Sequence, residues 1–298
     1  MSKETGIREK GILGMAIETE GLSYSYGAGA DVLRGVALGI REGEVVGVLG
    51  PSGSGRSALQ SILLGFRRGY TGSAKMLGHE ASSLARSFRR NIGVSFELPA
   101  SYQQLSAHEN LEMFASLQGG GVNQCEEVLP QLDLLEHADK RVSSFSKGMK
   151  MRLNLARALM HDPDIYLLDD PTSGQDHARA RCIREIIIEL SARGKTVLVT
   201  NHNMEEADKT CDRIGYLFDG KIAAVGSPDA LKKDISEPQV EITHEENGKQ
   251  ATDAFHLKGL VEDRRFRDIL ACDKIASMKS VTPSLEDVYI TIAERSGQ

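Results

Sequence analysis

The stretch "EVVGVLGPSGSGRSAL" (residues 44–59) decides the fold, because an apolar run is followed at once by a glycine-rich loop. "EVVGVL" is short, continuous and β-branched, which is typical of a buried parallel strand. The continuation "SALQSILLGF" (57–66) predicts a helix with one apolar face. That face comprises Leu59, Ile62, Leu63 and Phe66. Strand, glycine-rich loop and helix follow in the order of a phosphate-binding loop.

Glycines at 50, 53 and 55 permit a tight curl that turns successive backbone N–H groups inward. Together with the N-terminus of the next helix, those donors predict an anion site. Ser57 is placed to give its hydroxyl to Mg²⁺. The predicted nucleotide contacts are Gly50, Pro51, Ser52, Gly53, Ser54, Gly55, Arg56, Ser57 and Ala58. The alternative is an ordinary glycine turn, which the spacing and the preceding strand disfavour.

Arg56 stands where the motif G-x-x-x-x-G-K-[ST] has lysine. The positive charge is kept, but a planar guanidinium replaces a slim ammonium group. The guanidinium can pair two phosphate oxygens, but its planar shape is harder to fit inside the curled glycine-rich loop. We therefore expect nucleotide binding to persist in weakened form, with a larger loss of transition-state support.

Composition bounds the remaining possibilities. The chain has 298 residues with 40% hydrophobic and 26% charged residues, an ordinary globular balance for one large or two modest domains. A net charge of −6 argues against general attraction to nucleic acid. The four cysteines lack a C-x-x-C pair and indicate isolated thiols in a reducing compartment. No apolar run reaches the length of a membrane span, and the N-terminus does not read as a signal peptide, so a cytoplasmic protein is expected.

Strands alternating with helices predict an α/β parallel sheet. A helical insert is expected over 98–161, where Ser106 and Glu109 form a capping box. Asp219–Gly220 and Asn247–Gly248 are hairpin-turn signals. The predicted organisation is an extension over 1–15, a nucleotide-binding domain over 16–235 and a small α+β extension over 236–298.

"DIYLLDDPTSGQD" (164–176) carries the second candidate site. Asp169 ends a buried strand, where its carboxylate can hold Mg²⁺ directly or through water. Asp170 follows and could orient an attacking water molecule. Two acids at a strand end could be coincidence, but the upstream loop and the following "PTSG" argue against it.

A likeness to a known protein family becomes specific at the stretch "FSKGMKMRLNLARAL" (145–159). The chain resembles the ATPase subunits of ATP-binding cassette (ABC) transporters, and "SKGM" resembles their signature loop in drug-exporter-like branches. The resemblance implies a P-loop NTPase core with an antiparallel β-subdomain, an α-helical subdomain and a small α+β C-terminal extension. The stretches "GYTGSAKMLGHE", "GVSFELP" and "FSKGMKMRLNLARALMHDP" resemble subunits of fluoroquinolone-type exporters, and "PSLEDVYITIAER" resembles the ending of exporter ATPases.

The resemblance also implies residue roles. The signature loop, Ser146, Lys147, Gly148 and Met149, would cover ATP held by an opposing subunit. Tyr26 would stack on adenine, with Tyr24 as a competing choice, and His202 would sense the γ-phosphate. A dimer-crossing D-loop would comprise Ser173, Gly174, Gln175 and Asp176.

Three positions depart from the family pattern. Asp170 is one methylene shorter than the usual glutamate, and Arg56 replaces lysine. Glu97 stands where a glutamine is usual, and "SFELP" is either a branch-specific version of this loop or a lesion. The implied metal set is Ser57, Glu97 and Asp169, and the implied catalytic set is Asp170, His202, Arg56 and Glu97. Because an impaired loop stands beside an intact signature, a heterodimer with a second cassette is a hypothesis alongside a homodimer.

The implied function is that of an exporter's ATP-binding subunit, which uses ATP and Mg²⁺ to drive polytopic membrane permease subunits. Such a protein is expected at the inner face of the cell membrane. A ribosome- or DNA-associated cassette and a non-catalytic nucleotide-binding regulator are the alternatives. No nucleic-acid partner is expected.

Overall fold

The structure is a computed structural model. It describes residues 14–27, 29–98, 100–118, 123–201, 203–235, 239–246, 249–272 and 274–295. The chain divides into two compact units, residues 1–223 and 224–298. The domain boundary expected after residue 235 on family grounds stays a prediction.

An antiparallel sheet of four strands opens the first unit, in the order β2-β1-β4-β5. Its strands are β1 (Met15–Ser25), β2 (Asp31–Arg41), β4 (Thr71–Met76) and β5 (His79–Glu80). The partial alternation of apolar and polar residues in "AIETEGLSYSY" (16–26) reflects this pairing, since Ile17 and Leu22 are buried while Glu20 is exposed.

A second sheet of six strands has the order β10-β9-β3-β8-β7-β6. Its strands are β3 (Val45–Leu49), β6 (Ile92–Ser95), β7 (Ile165–Asp169), β8 (Thr196–Asn201), β9 (Arg213–Phe218) and β10 (Lys221–Gly226). The pairs β3–β8, β3–β9, β7–β8 and β6–β7 are parallel. Asp219 and Gly220 both have positive φ angles, 44° and 75°, so the predicted turn joins β9 to β10.

The carboxyl ends of β3, β7 and β8 lie side by side. In the parallel register Leu49 pairs with Asn201, and Asp169 pairs with Thr200. Three segments far apart in sequence therefore reach one edge of the sheet, where ligands of open α/β sheets commonly bind.

Helix α1 (Arg56–Leu63) buries its apolar face in the main core cluster. Leu59, Ile62 and Leu63 are each at most 1% exposed, as predicted. Phe66 was expected on the same face, and that prediction is wrong, because its side chain is 55% exposed. The helix ends three residues earlier, and Gly65 (φ 68°) turns the chain away at its C-terminus.

Three helices lie within the region predicted as a helical insert: α2 (Ala107–Gln118), α3 (Asn123–Gln131) and α4 (Lys147–Leu159). The capping box at the start of α2 is confirmed. The Ser106 N–H donates to the Glu109 carboxylate at 2.7 Å, and the Glu109 N–H donates to Ser106 Oγ at 3.1 Å. After the insert, α5 (His177–Ala192) and α6 (Met204–Thr210) flank β8 in sequence.

The second unit contains a three-stranded antiparallel sheet in the order β12-β11-β13. Its elements are α7 (Pro228–Lys233), β11 (Gln239–Glu246), β12 (Lys249–His256), α8 (Arg264–Leu270), β13 (Ile275–Val281) and α9 (Leu285–Arg295). Val240, Ile242, Phe255, Phe266 and Ile269 form its core. The α+β character agrees with the sequence expectation, and the predicted turn residues Asn247 and Gly248 lie outside the described residues.

We predict that Ile62→Ala destabilises the protein by about 2–5 kcal/mol, because truncation of a fully buried side chain leaves a cavity in the core against which α1 packs. Urea unfolding followed by circular dichroism measures the change. Phe66→Ala is the matched control and should change stability by less than about 1 kcal/mol. Equal losses in the two variants would contradict this assignment of the core.

Candidate functional site

The glycine-rich loop, residues 50–55, joins β3 to α1. Gly53 and Gly55 adopt φ angles of 84° and 110°, a region that side chains avoid. A Cβ at Gly55 would also lie 2.6 Å from Leu33 Cδ2 and 2.8 Å from the Val32 carbonyl oxygen. Backbone conformation and the close approach of β2 therefore both require glycine here.

Donors of the loop are available to a ligand. Within the described chain, the N–H groups of Gly53, Gly55, Arg56 and Ser57 form no hydrogen bond. Gly55 is the N-cap of α1 and provides no side-chain cap, so the positive end of the helix dipole is uncompensated. Unbonded N–H groups at a helix N-terminus fit an anion such as phosphate.

The other loop residues differ in accessibility. Ser52 and Ser57 are exposed, Pro51 is half-buried and Ala58 is buried. Ser54 is only 4% exposed, and its Oγ has no hydrogen-bond partner among the described residues. An orphaned buried hydroxyl is uncommon and indicates a missing partner. The Ser57 hydroxyl, at the first turn of α1, is accessible to a ligand.

Arg56 points toward the end of β8. Its guanidinium Nη1 donates to the backbone carbonyl of Asn201 at 2.8 Å. The side chain is half-buried and ties the loop to the strand beside it. A guanidinium held on that carbonyl is not curled over the loop in the manner expected of lysine.

Asp169 lies at the carboxyl end of β7, beside Thr200 and near Glu97. The Thr200 hydroxyl donates to Asp169 Oδ1. Burial raises the pKa of the Asp169 carboxyl. The negative charge of Glu97 adds to that increase, whereas the Thr200 hydroxyl, the Arg56 charge and the Glu97 N–H favour the ionised form. The structure therefore brings Arg56, Glu97 and Asp169 together.

Asp170 is held in the left-handed region, with φ 46° and only 7% exposure. Its N–H donates to the Thr200 carbonyl at 2.8 Å, and its carbonyl accepts the Ser173 N–H at 3.0 Å. Aspartate enters this backbone region more readily than most residues with a longer side chain. The short acid at this position thus agrees with the local backbone.

The loop predicted as a signature caps α4. Ser146 is its N-cap and accepts the Met149 N–H at 3.2 Å, and Lys147 begins the helix. Leu153, Ala156 and Leu159 pack behind it in the core, as expected. A Cβ at Gly148 would lie 2.9 Å from the Gly174 carbonyl oxygen, so glycine permits the close approach of the segment 173–176.

That segment is tied to the signature loop of the same chain. Gln175 Nε2 donates to the Gly148 carbonyl at 3.0 Å. Asp176 then caps α5 by accepting the Arg179 N–H at 2.9 Å. The residues predicted to form the signature loop and the D-loop therefore make one continuous surface.

Tyr26 is 50% exposed, which leaves a ring available for stacking. Tyr24 packs edge-on against it at a centroid distance of 5.2 Å, and the Arg67 guanidinium lies 5.1 Å from the Tyr26 centroid. Because Tyr24 is partly buried against the core, Tyr26 is the better candidate of the two. His202 lies outside the described residues, so its predicted role stays a prediction.

Sequence reasoning missed three residues that support the site. Thr200 binds Asp169, as described above. Asn154 of α4 is 1% exposed and donates to the Phe96 carbonyl at 2.7 Å, next to Glu97. Arg157 donates to the Ala100 carbonyl at 2.9 Å. In the sequence, the asparagine on the apolar face of the predicted helix is the one signal that points to these hydrogen bonds between α4 and residues 96–100.

Comparisons with known proteins agree with this geometry. Residues 33–173 match the family described as ABC transporter. The chain is 38% identical over 281 residues to a fluoroquinolones export ATP-binding protein of Mycobacterium tuberculosis (strain ATCC 25618 / H37Rv), covering 94% of this chain and 93% of the relative. It is also 38% identical over 221 residues to Nod factor export ATP-binding protein I of Rhizobium sp. (strain N33), covering 73% of this chain and 72% of that relative.

Solved structures give the same result. An ATP-binding subunit of an ABC transporter matches with a TM-score of 0.68 at 26% identity, covering 74% of this chain and 92% of the other. A dimeric ATP-binding cassette in a post-hydrolysis state, bound to ADP and phosphate, matches with a TM-score of 0.66 at 28% identity. The match covers 71% of this chain and 98% of the other. The predicted P-loop NTPase fold is confirmed.

We predict that Asp169→Asn raises the unfolding temperature of the nucleotide-free protein at pH 7. Burial raises the pKa of this carboxyl, so its ionised form opposes folding. Wild-type stability therefore falls relative to the variant as pH rises from the ordinary value of 3.8 to the raised pKa. Differential scanning calorimetry without nucleotide should show a higher unfolding temperature for the variant. The difference between the two unfolding temperatures should become smaller as pH is lowered toward 3.8.

Asp176→Asn is the matched control for this measurement. The Arg179 N–H and guanidinium hold the pKa of the exposed Asp176 below its usual range, so ionisation there favours folding. That variant should not be stabilised at pH 7. A lower unfolding temperature for Asp169→Asn would contradict the dominance of burial at Asp169.

Proposed function

The chain belongs to the ATP-binding cassette (ABC) transporter family, and we propose that it is the ATP-binding subunit of an exporter whose membrane-spanning subunits are separate chains. One observation supports this most. The unbonded N–H groups of the glycine-rich loop lie at the same sheet edge as Asp169, in a chain whose relatives are export ATP-binding proteins. As an ABC ATPase, the chain binds ATP.

In this proposal the loop N–H groups and the N-terminus of α1 hold the phosphates. Tyr26 stacks on the adenine. The Ser57 hydroxyl and the Asp169 carboxylate would hold Mg²⁺, and Glu97, whose charge acts on Asp169, would supply a further oxygen. Oxygen donors of this kind fit Mg²⁺, whose chemistry is to neutralise negative charge that develops on the phosphates. Within the described residues no cluster of three or more His, Cys, Asp or Glu side chains forms a separate metal centre.

A second cassette completes the proposed site. Ser146 caps α4 at an exposed position, and its loop is tied to Gln175 within the chain. This surface would cover nucleotide held by the partner, and the dimeric post-hydrolysis relative supports such an arrangement. Both a homodimer and a heterodimer fit this surface.

Hydrolysis at this chain's own site is proposed to be slow. The Arg56 guanidinium is engaged with the Asn201 carbonyl, so less of its charge is directed to the phosphates. Asp170 is one methylene shorter than glutamate, which retracts its carboxylate from the water that it would orient. A displacement near 1 Å can cost about 10²-fold in rate. Glu97 adds negative charge beside Asp169. A heterodimer would then derive most of its turnover from the other site.

Export also needs a membrane partner. None of the helices in the described ranges has both the length and the apolar character needed to cross a membrane. The surface near 97–110 is proposed to receive the permease. Asn154 and Arg157 of α4 bind the carbonyls of Phe96, just before this segment, and of Ala100, within it. A displacement of the segment would therefore be transmitted to α4. The protein would then lie at the cytoplasmic face of the membrane.

The alternatives are less well supported. A ribosome- or DNA-associated cassette is disfavoured by the export names of the relatives. A purely nucleotide-binding regulator shares every motif with the proposed subunit. Turnover measurements separate it from a slow ATPase.

We predict slow Mg²⁺-dependent ATP hydrolysis by the purified chain, with Asp169→Asn abolishing it. Arg56→Lys frees the loop from the Asn201 carbonyl and should accelerate turnover, and adding Asp170→Glu should accelerate it further, together by about 10²-fold. Phosphate release at saturating ATP measures the rates. Arg264→Lys, which changes an exposed arginine of α8 in the second unit, is the control and should leave the rate within about twofold.

Brisk hydrolysis by the unmodified homodimer would contradict the proposal of a weakened site. If the substituted chain instead shows no gain, the geometric argument about Arg56 and Asp170 is wrong.

A further inference from the structure

Strand β8 is buried along its whole length, and Thr200 is 2% exposed. The strand is paired on both sides, with β3 and with β7, so neither of its edges is open to solvent. A hydroxyl in such a position needs a partner inside the protein. The partner is Asp169 Oδ1 on the neighbouring strand, directly across the register.

Thr200 contacts both acids of the site through different groups. Its side-chain hydroxyl binds the Asp169 carboxylate, and its backbone carbonyl accepts the Asp170 N–H at 2.8 Å. A substitution of Thr200 by a residue without a hydroxyl removes the first bond and leaves the second in place. The two contributions can therefore be separated by experiment.

We propose that Thr200 is a positioning residue for the metal-binding carboxylate of Asp169. A buried carboxylate with few partners can rotate about its terminal torsion, which is broad for aspartate. The Thr200 hydroxyl and the Glu97 N–H fix that rotation before a metal arrives. Groups that orient a metal ligand in this way typically contribute about 10–100-fold to metal affinity. The inference rests on the proposed Mg²⁺–ATP site.

β8 contains its own control. Thr196 lies on the same strand with the same 2% exposure, but its Oγ accepts the Gly43 N–H at 3.1 Å instead of contacting an acid. Thr196→Val therefore removes a buried hydroxyl of the same strand without touching the carboxylates. Thr200→Val removes the hydroxyl bonded to Asp169 and keeps the branched shape that suits a strand.

The experiment measures binding of Mn²⁺, which takes the same oxygen ligands as Mg²⁺, to the full chain saturated with a non-hydrolysable ATP analogue. Electron paramagnetic resonance reports the free ion. Thr200→Val should weaken Mn²⁺ binding by about tenfold and change the affinity for metal-free nucleotide by less than about twofold. Thr200→Ser should restore wild-type affinity, and Thr196→Val should match the wild type.

A second measurement tests whether Thr200 affects Mn²⁺ affinity through Asp169. In an Asp169→Asn background, Thr200→Val should cause no further loss of Mn²⁺ affinity, because the ligand that it positions is already gone. Thr200→Ala serves in place of Thr200→Val if the valine variant does not fold.

Three results would overturn the inference: wild-type Mn²⁺ affinity in Thr200→Val, no rescue by serine, or a parallel loss of metal-free nucleotide binding that marks a purely structural role. A wild-type chain that binds no nucleotide at all would overturn the proposed function, and this inference with it. The two failures are therefore distinguishable.

Discussion

The parallel pairing of β8 with both β3 and β7 is the constraint on which the site depends. It places Asn201 beside the start of the glycine-rich loop and Thr200 beside Asp169. Side chains of a strand alternate between faces, so a slip of one residue would move the Thr200 hydroxyl to the opposite face. The same slip would move the carbonyl that receives Arg56. Correct register is therefore a condition for the chemistry as well as for packing.

Features that depend on neighbouring residues in the sequence could be predicted. The strand–loop–helix order, the capping box at Ser106 and the turn at Asp219–Gly220 all follow from local backbone preferences. The predicted helix after the loop extends too far, because Gly65, with a positive φ angle, ends it after Leu63. A glycine at a helix C-terminus is itself a local signal in the sequence.

Contacts between distant segments could not be predicted in the same way. Nothing near Arg56 in sequence indicates that its guanidinium binds the carbonyl of Asn201, since that contact exists only after β3 and β8 pair. The same holds for Thr200 with Asp169 and for Asn154 with Phe96. Motif reasoning identified the residues that face a ligand, whereas the residues that hold them in place required the fold. Roles assigned by family likeness, such as that of Tyr26, stay proposals.

The bond between Arg56 and Asn201 uses a main-chain oxygen as its acceptor. Every residue type carries that oxygen, so sequence drift at position 201 leaves the acceptor unchanged. A lysine at position 56 would therefore release the loop without any compensating change on the strand that receives the guanidinium.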